Sequence, residues 1–346
     1  MSIVMQKNIF TPVILASLLV ATSASAQNPT ASQTADNLRL RPLAAPTPTE
    51  AAPELYPGET SDVGPQSLLE LQQAQRRHWL RAFADEQLFY SDNVFLAGDG
   101  KKSSDILVST VSAALAPDAF EVQGGKLSPQ VGYQHQWFNY GLLGNDELIV
   151  VDFNKSILSQ TNRISAFDFN VSTIFADTTF AWHGWDFTVG VDYRRFLDSS
   201  SYTEFYREIV PRWAAHYTFK FAENKSIVVG YEGDYRFTET QNPLPFNQSD
   251  YNDRTDHSFV LTGNWWLCSH AVVQPFYRLQ YSDYTHVQGG REDWLNTFGI
   301  GLALPITQNV ALRTFVSYEL LDTTSSYAQS YHKLDIGGGL NLSVRF

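Results

Sequence analysis

The last seven residues constrain the fold more than any other feature. Leu340, Leu342, Val344 and Phe346 share one face of an extended chain, while Asn341, Ser343 and Arg345 share the other. The same period of two recurs upstream. Between 309 and 320, Val310, Leu312, Val316, Tyr318 and Leu320 oppose Ala311, Arg313, Ser317 and Glu319. Between 226 and 237, Ile227, Val229, Tyr231 and Tyr235 oppose Gly230, Glu232, Asp234 and Arg236. Ile209, Trp213, Ala215, Tyr217 and Phe219 oppose Arg212, His216 and Lys220, and Phe187, Val189, Val191 and Tyr193 oppose Thr188, Gly190, Asp192 and Arg194. A strand with one apolar and one charged face belongs to a half-buried sheet.

Twelve such strands are expected, with cores at 87–95, 105–115, 129–140, 165–175, 186–196, 205–221, 226–237, 256–267, 272–284, 292–304, 309–320 and 332–346. A soluble sandwich would show the same alternation, but the connections argue against one. They mostly alternate between short (around 222–225, 269–270 and 307–309) and long (141–164, 238–255 and 321–331). Transmembrane barrels have this asymmetry, with short turns on the periplasmic side and long loops outside. The exception is 116–128, a long connection at an expected periplasmic turn. An even strand count puts both termini in the periplasm. The fold class is therefore all-β: a transmembrane, antiparallel, up-and-down β-barrel of about 12 strands over 85–346, preceded by a disordered linker and a short helix.

The N-terminus fits export. Lys7 precedes the apolar stretch Val13–Val20, and the small residues up to Ala26 suit signal cleavage before Gln27. Residues 1–26 are thus expected to be a signal peptide, and the apolar run is too short for a stable bilayer span. No later stretch is long and apolar enough for a membrane helix, so any spanning falls to strands. Residues 27–66 are rich in Pro, Ala, Thr and Ser and are expected to be a disordered periplasmic linker. Ser67 and Glu70 form a capping box, and Leu68, Leu71, Gln75, Trp79 and Ala82 fall near one face, which predicts an amphipathic helix over 67–84. Such a helix could plug the lumen or simply lead into the barrel.

Aromatic residues make up 14% of the chain, and they cluster at strand ends. Trp182, Trp185, Trp265 and Trp266 are expected at the periplasmic boundary, and Trp137, Tyr140, Tyr281, Tyr284 and Trp294 at the outer one. On this register Arg194, Arg212, Lys220, Arg236, Arg278, Arg313, Lys333 and Arg345 point inward with Asp168, Asp192, Glu232, Asp234, Glu319 and Asp335. His216 also joins the lumen-lining set. The interior is then slightly basic, although the chain carries a net charge of -12. A basic lumen favours anionic solutes; the opposing possibility is that these charges pair across a narrow barrel and hold it shut.

The acidic balance argues against nucleic acid as partner. Cys268 is the only cysteine, so no internal disulfide forms. No His-x-Ser triplet and no His-x-x-x-His pair occurs, and Gly98–Ser103 lacks the first glycine of a phosphate loop. No enzymatic activity, cofactor or metal is expected. Asp250, Asn252, Asp253 and Asp256 carry oxygen ligands suited to Ca²⁺, but a solvated acidic loop over 247–256 accounts for them.

The segment 85–346 resembles the β-barrel porin family of Gram-negative outer membranes, some of whose members accompany exopolysaccharide secretion. The resemblance rests on Tyr90-Ser-Asp-Asn-Val-Phe95, Asp253-Arg-Thr-Asp-His257, Gly290-Arg-Glu-Asp-Trp294 and the terminal Phe346. A final strand bearing Leu340, Leu342, Val344 and Phe346 also resembles the signal read by the barrel-assembly machinery. The resemblance implies an outer-membrane location, contact with outer-membrane lipid, and a porin-like channel for small hydrophilic solutes or saccharides. Small anions and polysaccharide are the candidate cargo. The alternatives are a non-conducting barrel serving as anchor or scaffold in an envelope or exopolysaccharide-export assembly, and, less favoured, a surface adhesin or phage receptor. Oligomeric state stays open.

Overall fold

The computed structural model describes residues 79–144, 148–152, 159–241, 248–268, 271–287, 289–307, 309–325 and 328–346. The strands are β1 (Leu80–Ser91), β2 (Ser104–Leu115), β3 (Phe120–Val122), β4 (Gly125–Tyr140), β5 (Leu148–Asp152), β6 (Ser159–Arg163), β7 (Phe169–Trp182) and β8 (Trp185–Asp198). They continue with β9 (Glu204–Ala222), β10 (Lys225–Thr240), β11 (Arg254–Cys268), β12 (Ala271–Tyr284), β13 (Arg291–Pro305), β14 (Val310–Thr323) and β15 (Tyr331–Arg345).

β1, β2, β4 and β7 to β15 form a closed antiparallel barrel of twelve strands. Each neighbours the next along the chain, β2 pairs with β4, and β1 pairs with β15 to shut the ring. Closure leaves no sheet edge, which is what a lipid environment requires of strands. Phe346 completes the seam: its N–H donates to the Leu80 carbonyl at 2.8 Å, and Leu80 N–H donates back at 3.3 Å.

Several bounds differ from the sequence expectation: the first strand runs Leu80–Ser91 where 87–95 is expected, and the fourth runs Phe169–Trp182 where 165–175 is expected. β1 starts at Leu80, so Leu80–Ala84, expected to end a helix, are strand, and the Trp79 carbonyl accepts from Ala116 N–H; residues 67–78 of the expected helix lie outside the described residues, as do 1–66. Leu-Arg-Ala-Phe-Ala is as compatible with helix as with strand, and the ladders offered by β2 and β15 on its two sides decide the matter. The anomalous 116–128 connection contains β3, which folds back on Gly125–Leu127 as a hairpin below the barrel wall. Along 141–168, β5 pairs with β6 and Ile164–Phe167 make one 3₁₀ turn before β7.

The outer face is apolar. Val189, Phe298, Ile300, Val316, Ile336, Leu340 and Leu342 are among its exposed side chains. In a protein bathed in water such a surface would aggregate; in a bilayer it is solvated by acyl chains. The aromatic bands form in part. Trp182, Trp185, Trp265 and Trp294 are exposed at the strand ends, whereas Tyr140 and Tyr284 are buried, so the outer girdle is thinner than expected. Tyr284 is instead covered by Arg291, whose guanidinium lies 4.1 Å from the ring centroid.

Candidate functional site: the barrel interior

The inward positions carry the chemistry. Each of the twelve strands contributes at least one inward side chain no more than 4% exposed: Gln87, Val108, Gln136, Val171, Phe196, Glu208, Arg236, Asp256, Gln280, Thr297, Ser317 and Asp335 in chain order. At this level the interior is filled by side chains from every direction.

Two layers do the filling. Near the end with the longer connections, Phe89, Ile106, Val108, Phe138, Tyr140, Phe169, Val171, Phe196, Tyr206 and Phe315 pack with Ile164 of the 3₁₀ turn. Phe138 and Phe169 stack at 4.4 Å, and Tyr206 meets Phe196 edge-on at 5.1 Å. An aromatic cluster inside the barrel was not foreseen. Its members do alternate inward, as Phe89 between Gln87 and Ser91 shows, but the alternation does not reveal that they meet.

The second layer is a ladder of ion pairs. Arg236 on β10 donates to Asp234 at 3.0 Å, to Asp256 on β11 at 2.8 Å and to Glu208 on β9 at 3.3 Å. Arg254 continues it to Asp256 at 3.1 Å. On the other side Arg194 reaches Asp192 at 2.8 Å and Glu208 at 3.6 Å, and Arg212 bridges Asp192 and Asp177. His216 Nε2 lies 2.9 Å from Glu232, which also pairs with Arg278 at 3.1 Å. Lys333 sits between Glu319 and Asp335, and Arg313 crosses β15 to reach Asp85 on β1. Buried charges persist only with such partners, because each costs several kcal/mol to desolvate alone.

The close approach of β15 to β1 explains two of its glycines. A Cβ on Gly337 would lie 2.2 Å from Phe89 Cβ and 2.4 Å from the Leu88 carbonyl, and one on Gly339 would lie 2.5 Å from the Glu86 carbonyl. The last strand has to be bare there to approach β1 this closely.

Of the expected lumen residues, Arg194, Arg212, His216, Glu232, Asp234, Arg236, Arg278, Arg313, Glu319, Lys333 and Asp335 thus join paired networks. Lys220 and Arg345 do not: both are exposed near the short turns, with Arg345 bound to Asp118 at 3.0 Å. Asp168 lies in the loop before β7 and caps the Tyr140 N–H at 2.8 Å. The sequence tally missed Asp85, Asp177, Glu208, Asp256 and Asp293, and the cations Arg254 and Arg291. With these included, acidic side chains at least match basic ones, so the interior is not basic. Strand ends supply most of the missed residues, and there the alternation has too few repeats to fix a face.

Leu340, Leu342 and Phe346 are exposed on the outer face, as the terminal pattern requires. In the 247–256 loop Asp256 is taken by Arg236 and Arg254. Asp250 and Asp253 meet His286 of the next long loop instead, at 3.3 and 3.5 Å. These three could offer ligand atoms within 4.8 Å of one another, but Asp253 already accepts from Thr238 N–H and Oγ.

No protein-family profile and no curated protein matches the chain in sequence. Solved structures resemble it at low identity. The outer membrane channel from Pseudomonas putida F1 is 8% identical, covering 77% of this chain and 96% of that one, at a TM-score of 0.48. The β domain of the Bordetella autotransporter BrkA is 11% identical over 78% of this chain and all of the other, at 0.47. The NanC porin is 12% identical over 75% of this chain and 98% of the other, at 0.40. The fold stands on the strand ladders of this chain itself.

Proposed function

We propose that the protein is an outer-membrane channel, exported by a leader cleaved after Ala26, that passes small hydrophilic solutes such as saccharides through a narrow, gated lumen. The graded exposure of the inward charges carries this. Along β10 the side chains go from 5% exposed at Arg236 to 16% at Asp234 and 22% at Glu232; along β9 they go from 1% at Glu208 to 33% at Arg212. Arg212, Asp234 and Glu232 are thus partly wetted, between the buried layer of Arg236 and Glu208, with the aromatic cluster beyond it, and His216 and Gln274, both 3% exposed, toward the short turns. A partly wetted chamber bounded by exchangeable ion pairs suits a channel that opens when the pairs rearrange.

Charge balance bears on cargo. With basic and acidic groups paired, no uniform field attracts anions into the lumen, so uncharged saccharides fit better than the anionic solutes suggested by the sequence tally. Single-channel conductance of the barrel in a planar bilayer, with and without residues 27–78, tests this. Small, stable steps with weak ion selectivity are expected, and Arg236→Ala should enlarge them. Silence from both forms and from the variant, in protein shown to be folded, would refute the channel.

A further inference from the structure

A sector of the lipid-facing surface around β2 is poorly solvated by lipid. Glu86 on β1 points outward and is exposed, and its Oε1 accepts a hydrogen bond from Ser109 Oγ on β2 at 2.9 Å. Two strands away, His135 on β4 also points outward. Its Nδ1 lies 2.9 Å from Ser172 Oγ and 3.2 Å from Tyr133 OH.

The strand registers give the height of Glu86. Its row of cross-strand partners runs from Leu304 on β13 through Leu312, Leu340, Glu86, Ser109, Trp137 and Asn170 to Leu197 on β8. Leu304 adjoins the turn after β13 and Leu197 adjoins the 199–203 connection at the opposite end of the barrel, so Glu86 and Ser109 sit midway up the wall. Each strand crossed climbs roughly 3 Å at a tilt near 40°. Trp137 is thus roughly 6 Å above Glu86, and His135, two residues back down β4, lies roughly 5 Å below Trp137. Glu86 and His135 are therefore nearly level. Among the described residues, Glu86 is the carboxylate that faces outward at mid-height; the other outward carboxylates lie near the strand ends.

A carboxylate facing acyl chains at mid-bilayer is expensive, and such residues ordinarily meet protein. Between the two polar groups, β2 presents Ser109, Val111 and Ala113, and beside Glu86 lie Ala84, Ala82 and Gly338. These small side chains let another wall approach closely.

We propose that this sector, centred on β2, is a membrane-embedded interface with a second copy of the same chain. Both copies must have the same orientation in the bilayer, so the two-fold axis runs along the membrane normal and preserves height. With the axis beside β2, Glu86 of each copy meets His135 of the other. A two-fold interface requires this self-complementarity, and a carboxylate acceptor level with an imidazole whose Nε2 can donate supplies it.

The test uses the full chain on a Cys268→Ser background, with folding checked by heat-modifiable gel mobility. Val111→Cys should form a disulfide-linked dimer in lipid vesicles, whereas Leu261→Cys on the far wall should not. Sedimentation should show a dimer whose dissociation constant rises at least tenfold in both Glu86→Gln and His135→Phe. Disulfide formation at Leu261 as efficient as at Val111, a folded protein that stays monomeric in lipid, a trimer, or a link from Val111→Cys only to other proteins would each overturn the proposal.

Discussion

Replacing Arg236 with methionine removes the central cation of the ladder while keeping most of the volume. In the native barrel its guanidinium serves Asp234, Asp256 and Glu208. Asp256 retains Arg254 at 3.1 Å, and Glu208 retains the Tyr206 hydroxyl at 3.1 Å and Arg194 at 3.6 Å. Asp234 is left with no cation in direct hydrogen-bond contact beyond the longer-range attraction of Arg254. The substitution therefore strands one carboxylate and weakens two. Breaking a buried pair from one side costs about 3–5 kcal/mol, and the residual partners of Asp256 and Glu208 place the expected loss toward the lower end. Guanidinium unfolding in lipid vesicles, followed by tryptophan fluorescence, measures it. The deficit should shrink as pH falls, because protonation neutralises the stranded carboxylate and relieves the folded variant more than the native barrel. Arg236→Met with Asp234→Asn should recover a large part of it. A loss below about 1 kcal/mol, or one that grows on acidification, would refute the account of the ladder as a set of mutually required charges.

Phe138→Ala deletes a ring that is 1% exposed and stacked on Phe169; a loss of about 3–5 kcal/mol is expected, together with larger single-channel steps. Gly337→Ala forces β15 away from β1 and should cost about 1–3 kcal/mol, read as slower gain of the compact gel form during refolding. Arg345→Gln breaks the exposed pair with Asp118 and should change stability by less than about 1 kcal/mol. Reversal potentials in a salt gradient should be insensitive to Lys220→Gln, since that side chain lies outside the filled layer.

Strand number, order and face were legible because period-two alternation repeats many times along each central strand: Arg313, Ser317 and Glu319 all point where the pattern puts them. The first strand was less so. Leu80–Ala84 have no alternation of polarity, and only the partners β2 and β15 define them as strand. The interior was half legible. A sequence shows that Arg236 faces inward, but not that Glu208, Asp234 and Asp256 converge on it, because that depends on strand stagger. The plug escaped for a related reason: Phe89, Phe138, Phe169, Phe196 and Phe315 come from five different strands, and they become a cluster only when the sheet closes. Stagger likewise determines that Glu86 and His135 share a level.

The bare stretch of β15 bears on how such a wall enters a bilayer. Until β15 meets β1, the carboxylates and guanidinium groups of the ladder have no enclosure, and a sheet left open in hydrocarbon would expose them and two rows of unpaired amides to lipid. Insertion and ring closure must therefore proceed as one event. The strand made last arrives with hydrogens in place of side chains at Gly337 and Gly339, so it can slide into register without displacing Phe89 or Gln87. Seen in time, the glycines are a low step at the point where the barrel zips shut.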